Sequence, residues 1–273
     1  MRVLLTSLIT ALLFCSTTQA WFNHSYIGPD GGDWNTASNW NPLGVPTKGN
    51  GTSTGGGDAS DERSHGILGG NKDINIDANA EMWILHLGWT AGVGGQSTLN
   101  LNSGTLELTG AFRGGRTNAT GFFNMAAGTN VTSPQWQAGG WNTTDTSGST
   151  LTTQDGGNML VTGNYQVARY GQGTHILNDG TIQVNGTLDV ARYASGSGTF
   201  IVNGGEMSVG SIRLATQAGS SGIITQNGGT VRAGSLTLQT NGSYELEGGT
   251  LGVNTLTDSG GTFTWGAATL YPP

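Results

Sequence analysis

From about residue 80 onward, apolar and polar residues alternate in short segments with a period of two. Leu188 to Arg192 alternates in this way, and so do Ile182 to Val184 and Leu236 to Leu238. A period of two is typical of β-strands, whose successive side chains point to opposite faces, whereas helices have a period of 3.6. No segment after the first twenty residues predicts a helix of ten or more residues, so the chain is predicted to be all-β.

Glycine-rich turns separate these segments at nearly regular intervals. The turns read Asn-Gly-Gly-Thr or a close variant, and their last glycines stand at 104, 128, 157, 180, 205, 229 and 249. One unit contains three short strands, for example Leu188–Val190, Thr199–Val202 and Glu206–Val209. Strands this short bury a core only when equivalent strands stack. The spacing predicts a single-stranded parallel β-helix of about eight three-strand coils. Crossover geometry favours a right-handed winding, and an antiparallel sandwich would not need a fixed repeat.

Aligning the units predicts which side chains form columns along the stack. The first inward column is Leu85, Phe112, Gln137, Tyr165, Leu188, Ile212 and Leu236, and the second is Leu87, Gly114, Gly139, Val167, Val190, Leu214 and Leu238. The glutamine and glycine members predict an irregular coil in the middle of the stack. A turn column contains Asn102, Asp155, Asn178, Asn203 and Asn227. We interpret this column as turn-stabilising hydrogen bonds rather than a ligand site.

The N-terminal part differs from the repeats. Residues 1–20 have a charged start, an apolar run and a small-residue end, as a secretory signal peptide does. Residues 21–80 are predicted to form an N-terminal cap and a polar Gly-rich loop, the loop covering 48–70, and residues 81–273 the parallel β-helix. The expected location is extracellular or on the cell surface. No later apolar stretch is long enough to predict a membrane span.

Composition and charge exclude several functions. The net charge is -7 and only 10% of residues are charged, which disfavours nucleic-acid binding. Cys15, the single cysteine, lies in the signal segment, so no disulfide or cysteine metal site is expected in the mature chain. The four histidines lack metal-ligand spacing, and no cofactor is predicted.

A further column contains arginine and tryptophan residues just past the second inward positions. Its members are Trp89, Arg116, Trp141, Arg169, Arg192, Thr216 and Thr240, and Tyr170 and Tyr193 directly follow two of the arginines. Arginine pairs with carboxylate and sulfate groups, and exposed aromatic rings stack on sugars. We therefore predict ligand binding by Trp89, Arg116, Trp141, Arg169, Tyr170, Arg192 and Tyr193, with an acidic polysaccharide as the partner. The alternative is a surface ladder in which the arginines stack only on their neighbours.

Two other functions remain open. Asp189 and Arg213 share an outward column with His86, Arg113 and Gln166, and they are the candidate residues if the chain is a polysaccharide lyase or glycoside hydrolase. A cross-strand salt bridge between them is the alternative, and no catalytic residue is assigned. A structural, self-associating adhesin or filament subunit is the third interpretation, because the C-terminal coil shows no cap in its sequence.

The entry to the repeats carries a recognisable motif. Residues 32–40 read Gly-Asp-Trp-Asn-Thr-Ala-Ser-Asn-Trp, followed by Pro42 and Pro46. Together with the Asn-Gly-Gly-Thr turns, this motif resembles secreted bacterial β-helical repeat exoproteins, which are autotransporter-passenger-like or of the PEP-CTERM type. The resemblance implies a β-helical exoprotein with no catalytic residues to transfer. Trp34, Trp40 and Pro46 are expected to cover the N-terminal end of the core, and a sugar-binding tryptophan pair is the alternative.

Overall fold

The computed structural model describes residues 22–41, 45–46, 64–68, 71–89 and 95–271. These residues form a β-solenoid of about eight turns with no α-helix among them, which confirms the all-β parallel stack. The right-handed winding stays a prediction. Residues 1–20, with Cys15, lie outside the described residues.

One face of the solenoid is a ten-stranded sheet in which every neighbouring pair is parallel. Its strands are β2 (Gly32–Asp33), β5 (Lys72–Ile76), β7 (Gln96–Leu101), β9 (Thr120–Met125), β12 (Ser149–Gln154), β15 (Gln172–Leu177), β17 (Ser197–Val202), β19 (Ser221–Gln226), β21 (Gly242–Leu246) and β23 (Thr262–Trp265).

The remaining faces belong to one fourteen-stranded sheet. Its strands are β1 (Phe22–Tyr26), β3 (Trp40–Asn41), β4 (Ser64–Leu68), β6 (Ala80–Leu87), β8 (Thr105–Gly114), β10 (Asn130–Ser133), β11 (Trp136–Gln137), β13 (Asn158–Val161), β14 (Tyr165–Val167), β16 (Thr181–Val190), β18 (Glu206–Leu214), β20 (Thr230–Gln239), β22 (Thr250–Ser259) and β24 (Thr269–Tyr271). Among the described strands of this sheet, β1 and β3 form the one antiparallel strand pair, and Gln239 of β20 forms an isolated antiparallel bridge with Gly260. A short 3-10 helix, Ala37–Asn39, precedes β3.

Two of the three predicted strands of each regular coil join into one bent strand. In β16 the predicted segments Ile182–Val184 and Leu188–Val190 are continuous, with a shift in the pairing register between Val184 and Thr187. The middle coils are broken at this bend, into β10 and β11 and into β13 and β14. Hydrogen bonding between coils therefore continues around one corner in the regular coils. The irregular coils lie in the middle of the stack, as the sequence predicts.

The apolar interior follows the predicted columns, except in one coil. Phe112 and Tyr165 are fully buried, and the pairing register places Trp136 between them rather than Gln137. The rings of Trp136 and Phe112 stack with centroids 3.9 Å apart. The prediction of an inward Gln137 is therefore wrong by one residue, and Ala138 replaces Gly139 for the same reason. Counting from the turns could not locate the extra residues of the longest unit.

The predicted loop over 48–70 is wrong at its C-terminal end. Ser64–Leu68 forms β4, which pairs parallel with β1 on one side and β6 on the other. Residues 48–63 and 69–70 lie outside the described residues. Parallel pairing therefore begins upstream of residue 81, at β1.

The N-terminal tryptophans are part of the core. Trp34 and Trp40 are 0% and 1% exposed, and their rings meet edge to face at 4.5 Å. The indole Nε1 of Trp40 donates a hydrogen bond to the Trp34 carbonyl oxygen at 2.8 Å. Pro46 is also buried. These residues cover the interior, as predicted, and the two indoles present no face to a sugar.

The turn column forms side-chain hydrogen bonds from coil to coil. The Asn178 amide donates to Asp155 at 2.7 Å, Asn203 donates to Asn178 at 2.8 Å, and Asn227 donates to Asn203 at 2.9 Å. Asn102 donates to Asp77 at 2.8 Å. The structural interpretation of this column is confirmed.

Substitution of a turn glycine by alanine is expected to destabilise the fold. The loss should be larger where the backbone of the neighbouring coil lies close to the new Cβ atom. Gly205 has a φ of +68°, and a Cβ there would lie 2.5 Å from the Gly180 carbonyl oxygen of the neighbouring coil. Gly128 has a φ of +79° with nothing within 4 Å. We expect Gly205→Ala to cost about 2–3 kcal/mol, from strain plus a clash, and Gly128→Ala about 1 kcal/mol from strain alone. Urea unfolding of both variants measures this, and equal losses would contradict it.

Candidate functional site

The candidate site is a band of outward side chains beside one corner of the solenoid, which we call the arginine–aromatic face. Its members are Trp89, Arg113, Arg116, Trp141, Arg169, Tyr170, Asp189, Arg192, Tyr193 and Arg213. The corner is made by a left-handed residue in each coil, such as Ala168 with a φ of 62° and Ala191 with a φ of 64°. Because the chain turns there, the next residue, Arg169 or Arg192, projects away from the core.

Two tryptophans and two arginines form the N-terminal half of this face. The Arg116 guanidinium lies over the Trp89 ring at 4.6 Å, and the Arg113 guanidinium lies over the Trp141 ring at 4.6 Å. The two indoles are 5.8 Å apart. Arg116 also approaches Asp145, with 3.9 Å between Nε and Oδ1. The predicted members Trp89, Arg116 and Trp141 are thus neighbours, and Arg113 joins them from the adjacent outward column.

Two tyrosines and two arginines continue the face. Tyr170 and Tyr193 stack with centroids 4.3 Å apart and an interplanar angle of 8°. Arg169 lies 5.4 Å from the Tyr170 ring and 5.7 Å from the Tyr193 ring, and Arg192 lies 5.3 Å from the Tyr193 ring. Burial raises the pKa of Tyr170, with a contribution from Tyr193. Burial acts in the same direction on Tyr193, but Arg192 and Arg169 outweigh it and lower the pKa of that hydroxyl. Burial therefore has the larger effect on the Tyr170 hydroxyl, whereas the neighbouring arginines have the larger effect on the Tyr193 hydroxyl.

Asp189 is the most heavily engaged polar group on the face. It is 0% exposed and accepts two hydrogen bonds from Arg213, from Nε at 2.7 Å and from Nη2 at 3.0 Å. Arg192 Nη1 donates to it at 3.1 Å and Thr216 Oγ1 at 3.4 Å. The predicted contact between Asp189 and Arg213 is confirmed as a bidentate cross-strand ion pair. All of these donors come from the chain itself, which is the arrangement of a structural ion pair.

Arg113 and Arg169 have no carboxylate partner among the described residues. The Nε atoms of both are buried without a hydrogen-bond acceptor. Burial and, to a smaller extent, the nearby positive charge of Arg169 together lower the pKa of Arg113 to about 10. Two cations therefore face each other without a compensating anion.

Arg113 and Gln137 are not among the ligand-binding residues that the sequence predicts. Arg113 follows the inward Phe112 by one residue, so alternation already places it outward, and Gln137 pairs with Arg113 in the register. The available signal is the outward column that contains Asp189, for which the sequence predicts either catalytic candidates or a cross-strand salt bridge but no ligand-binding arginine. Thr240, the last member of the predicted column, is exposed and lies at the other end of the stack.

Positive charge is concentrated on this face. Five of the eight arginines of the chain lie here, although the net charge of the whole chain is -7. Asp189 and Asp145 compensate three of them in part, since Asp189 pairs with Arg192 and Arg213, and Asp145 lies beside Arg116. The remaining charge favours an anionic ligand.

Two other kinds of feature are absent from the described part of the chain. No three His, Cys, Asp or Glu side chains among the described residues group closely enough to hold a metal ion. Over the same residues, no helix has the length and apolar character needed to cross a membrane. At the C-terminal coil, Leu256 and Trp265 are 51% and 55% exposed. The self-association interpretation stays a prediction.

No protein-family model, curated protein or solved structure matches this chain. The resemblance to secreted bacterial repeat exoproteins therefore stays a prediction, and function is argued from the face itself.

Proposed function

We propose that the chain is a secreted surface or extracellular-matrix repeat protein whose arginine–aromatic face binds acidic polysaccharide without cleaving it. The observation that carries this proposal is the pair Arg113 and Arg169, half-buried cations with no carboxylate partner in the described residues. An unpaired guanidinium in a partly desolvated position is costly, and an external carboxylate or sulfate compensates it. Secretion is inferred from residues 1–20.

The shape of the face favours a polymer over a small molecule. Its arginines come from four of five successive coils, and coils stack at about 4.8 Å, so charges recur along the rod. Trp89, Trp141 and Tyr193 are only partly buried and offer ring surface between the arginines. A chain of sugar rings that bears repeated anionic groups matches a row of this kind.

The members of the face are expected to contribute unequally. Arg192 already donates to Asp189, and Arg116 lies between Trp89 and Asp145. Arg113, Arg116, Arg169 and Arg192 all lie near an aromatic ring, as in the self-stacked ladder that is the alternative interpretation. Of these four, only Arg116 and Arg192 also approach a carboxylate among the described residues. Arg113 and Arg169 carry the larger share of ligand binding, because binding does not have to break an internal ion pair.

An Arg113→Ala/Arg169→Ala double variant is expected to weaken binding to polyuronate and sulfated polysaccharide by at least about tenfold at low salt. Two charge-assisted contacts are lost, each typically about 1.5–3 kcal/mol. Retention and calorimetric titration measure the effect, with neutral polysaccharide as the ligand control. Arg232→Ala is the matched control, since Arg232 is exposed in β20 and pairs with Ser208 and Gly252 rather than with the face.

The same experiment distinguishes the other functions. Shortened polysaccharide chains would overturn the non-catalytic proposal and direct attention to Asp189 and Arg213. Absence of retention on every acidic polymer would also contradict it and leave a structural rod. Export is checked on the secreted protein, whose first residue should be Trp21.

A further inference from the structure

One outward column shows how this fold accommodates an anion between two arginines. The Asp189 carboxylate lies between Arg213, its register partner on the next coil, and Arg192, three residues later in its own coil. Both arginines bind the same carboxylate, at 2.7–3.1 Å. Asp189 is the acidic centre of an Arg–Asp–Arg group.

The three coils before Asp189 contain two arginines but no acid at the corresponding position. Gln137 and Gln166 occupy the column position of Asp189, two coils and one coil before it. Arg113 is the register partner of Gln137 on the preceding coil, whereas Arg213 is the register partner of Asp189 on the following coil. Arg169 follows Gln166 by three residues, as Arg192 follows Asp189. Two arginines therefore flank two neutral glutamines on adjacent coils, where the Asp189 group has two arginines around one acid.

Several buried polar atoms at this position have no hydrogen-bond partner. Gln137 and Gln166 are 8% and 6% exposed, and the Oε1 atom of each is buried without a hydrogen-bond donor. With the Nε atoms of Arg113 and Arg169, four buried polar atoms lack a partner within this small cluster. Native proteins leave few such atoms unpaired, because each one costs desolvation energy. The Trp141 ring covers Arg113 at 4.6 Å and limits access of water to it.

We propose that Arg113, Gln137, Gln166 and Arg169 form a subsite for one oxyanion of a sugar ring, a carboxylate or a sulfate, held as Arg192 and Arg213 hold Asp189. This inference rests on the proposed function and assigns its anionic group to a place on the face. Both arginines are half-buried, so the oxyanion reaches them from solvent. Hydroxyl groups of the same sugar donate to the two glutamine amide oxygens, which completes the four unpaired atoms.

The most direct test is a substitution that introduces a carboxylate into the subsite itself. Gln137→Glu keeps the size of the side chain and places a carboxylate next to Arg113. We expect it to raise the melting temperature by a few degrees and to weaken binding of the acidic polysaccharide by about tenfold or more. Gln183→Glu is the matched control, because Gln183 is exposed in β16 on another part of the sheet. It should change neither quantity appreciably.

Small anions test the subsite independently of polysaccharide binding. Sodium sulfate and sodium galacturonate are added separately to the wild type and to Gln137→Glu at matched ionic strength, with sodium chloride as reference. A rise in melting temperature of the wild type that is absent in the variant supports the subsite, and the more effective anion identifies the preferred oxyanion. If Gln137→Glu does not fold, Gln166→Glu is compared in the same way.

Each outcome bears on one claim or both. Unchanged polymer binding by both glutamate variants overturns the subsite and leaves polysaccharide binding elsewhere on the face intact. A response to small anions without polymer binding supports the subsite and contradicts the proposed function. Absence of both responses overturns both.

Discussion

Replacing Arg213 with methionine is expected to lower the free energy of unfolding by about 3–5 kcal/mol, because a buried carboxylate loses its bidentate partner. Asp189 is 0% exposed, and Arg213 supplies two of its contacts, at 2.7 and 3.0 Å. Arg192 Nη1 and Thr216 Oγ1 remain as donors but supply one contact each, at 3.1 and 3.4 Å. Denaturant unfolding at pH 7 measures the loss, and Arg232→Met on the exposed part of β20 is the control.

Neutralising the acidic partner should lower the free energy of unfolding by less than removing Arg213 does. Asp189→Asn leaves two arginines whose side chains are 28% and 39% exposed and therefore partly hydrated. We expect a loss of about 1.5–3 kcal/mol. The double variant should lose less than the sum of the two single losses, since each change already removes the same contact. A change of under about 0.5 kcal/mol for Arg213→Met would mean that the ion pair behaves like an exposed one and would contradict its structural role.

The second large effect is a loss of stability in acid caused by His175. This side chain is 0% exposed, and burial lowers its pKa to about 3, from about 6.5 in an unfolded chain. Between these two values the unfolded chain binds a proton that the folded chain does not. The contribution of neutral His175 to the free energy of unfolding is therefore fully present above about pH 6.5. It is lost at up to about 1.4 kcal/mol per pH unit as the pH decreases toward 3.

His175→Phe is expected to remove this contribution to the pH dependence. The ring stacks on Phe200 at 4.6 Å with an interplanar angle of 5°, so phenylalanine suits the position. The variant leaves the Tyr165 hydroxyl without its partner, His175 Nδ1 at 2.5 Å, which costs about 1–3 kcal/mol at every pH. Adding Tyr165→Phe should recover that loss while the pH profile stays flatter. Urea unfolding at pH 4, 5, 6 and 7 provides the test, and an unchanged slope in both variants would contradict the assignment to His175.

Much of the candidate site could be predicted from spacing. The column of His86, Arg113, Gln166, Asp189 and Arg213 is outward and in register, as the alignment of the coils predicted. Trp89, Arg116, Arg169 and Arg192 lie where the repeat period places them, because a stacked coil copies its neighbour. Gln137 was assigned inward because the register of the longest unit depends on where its extra residues are accommodated.

By itself, the sequence determined that the chain is all-β, that its coils stack in parallel and that its turns repeat every twenty to thirty residues. Alternation and turn glycines can be read from short segments of the sequence. Backbone hydrogen bonds between coils then align each strand and turn with its equivalent in the next coil. Only the tertiary structure decided that Trp136 rather than Gln137 fills the core, that Trp34 and Trp40 are buried, and that Arg113 and Arg169 lack an acid while Arg192 and Arg213 share one. These outcomes depend on side-chain packing between coils about twenty-five residues apart, where a shift of one residue reverses inside and outside.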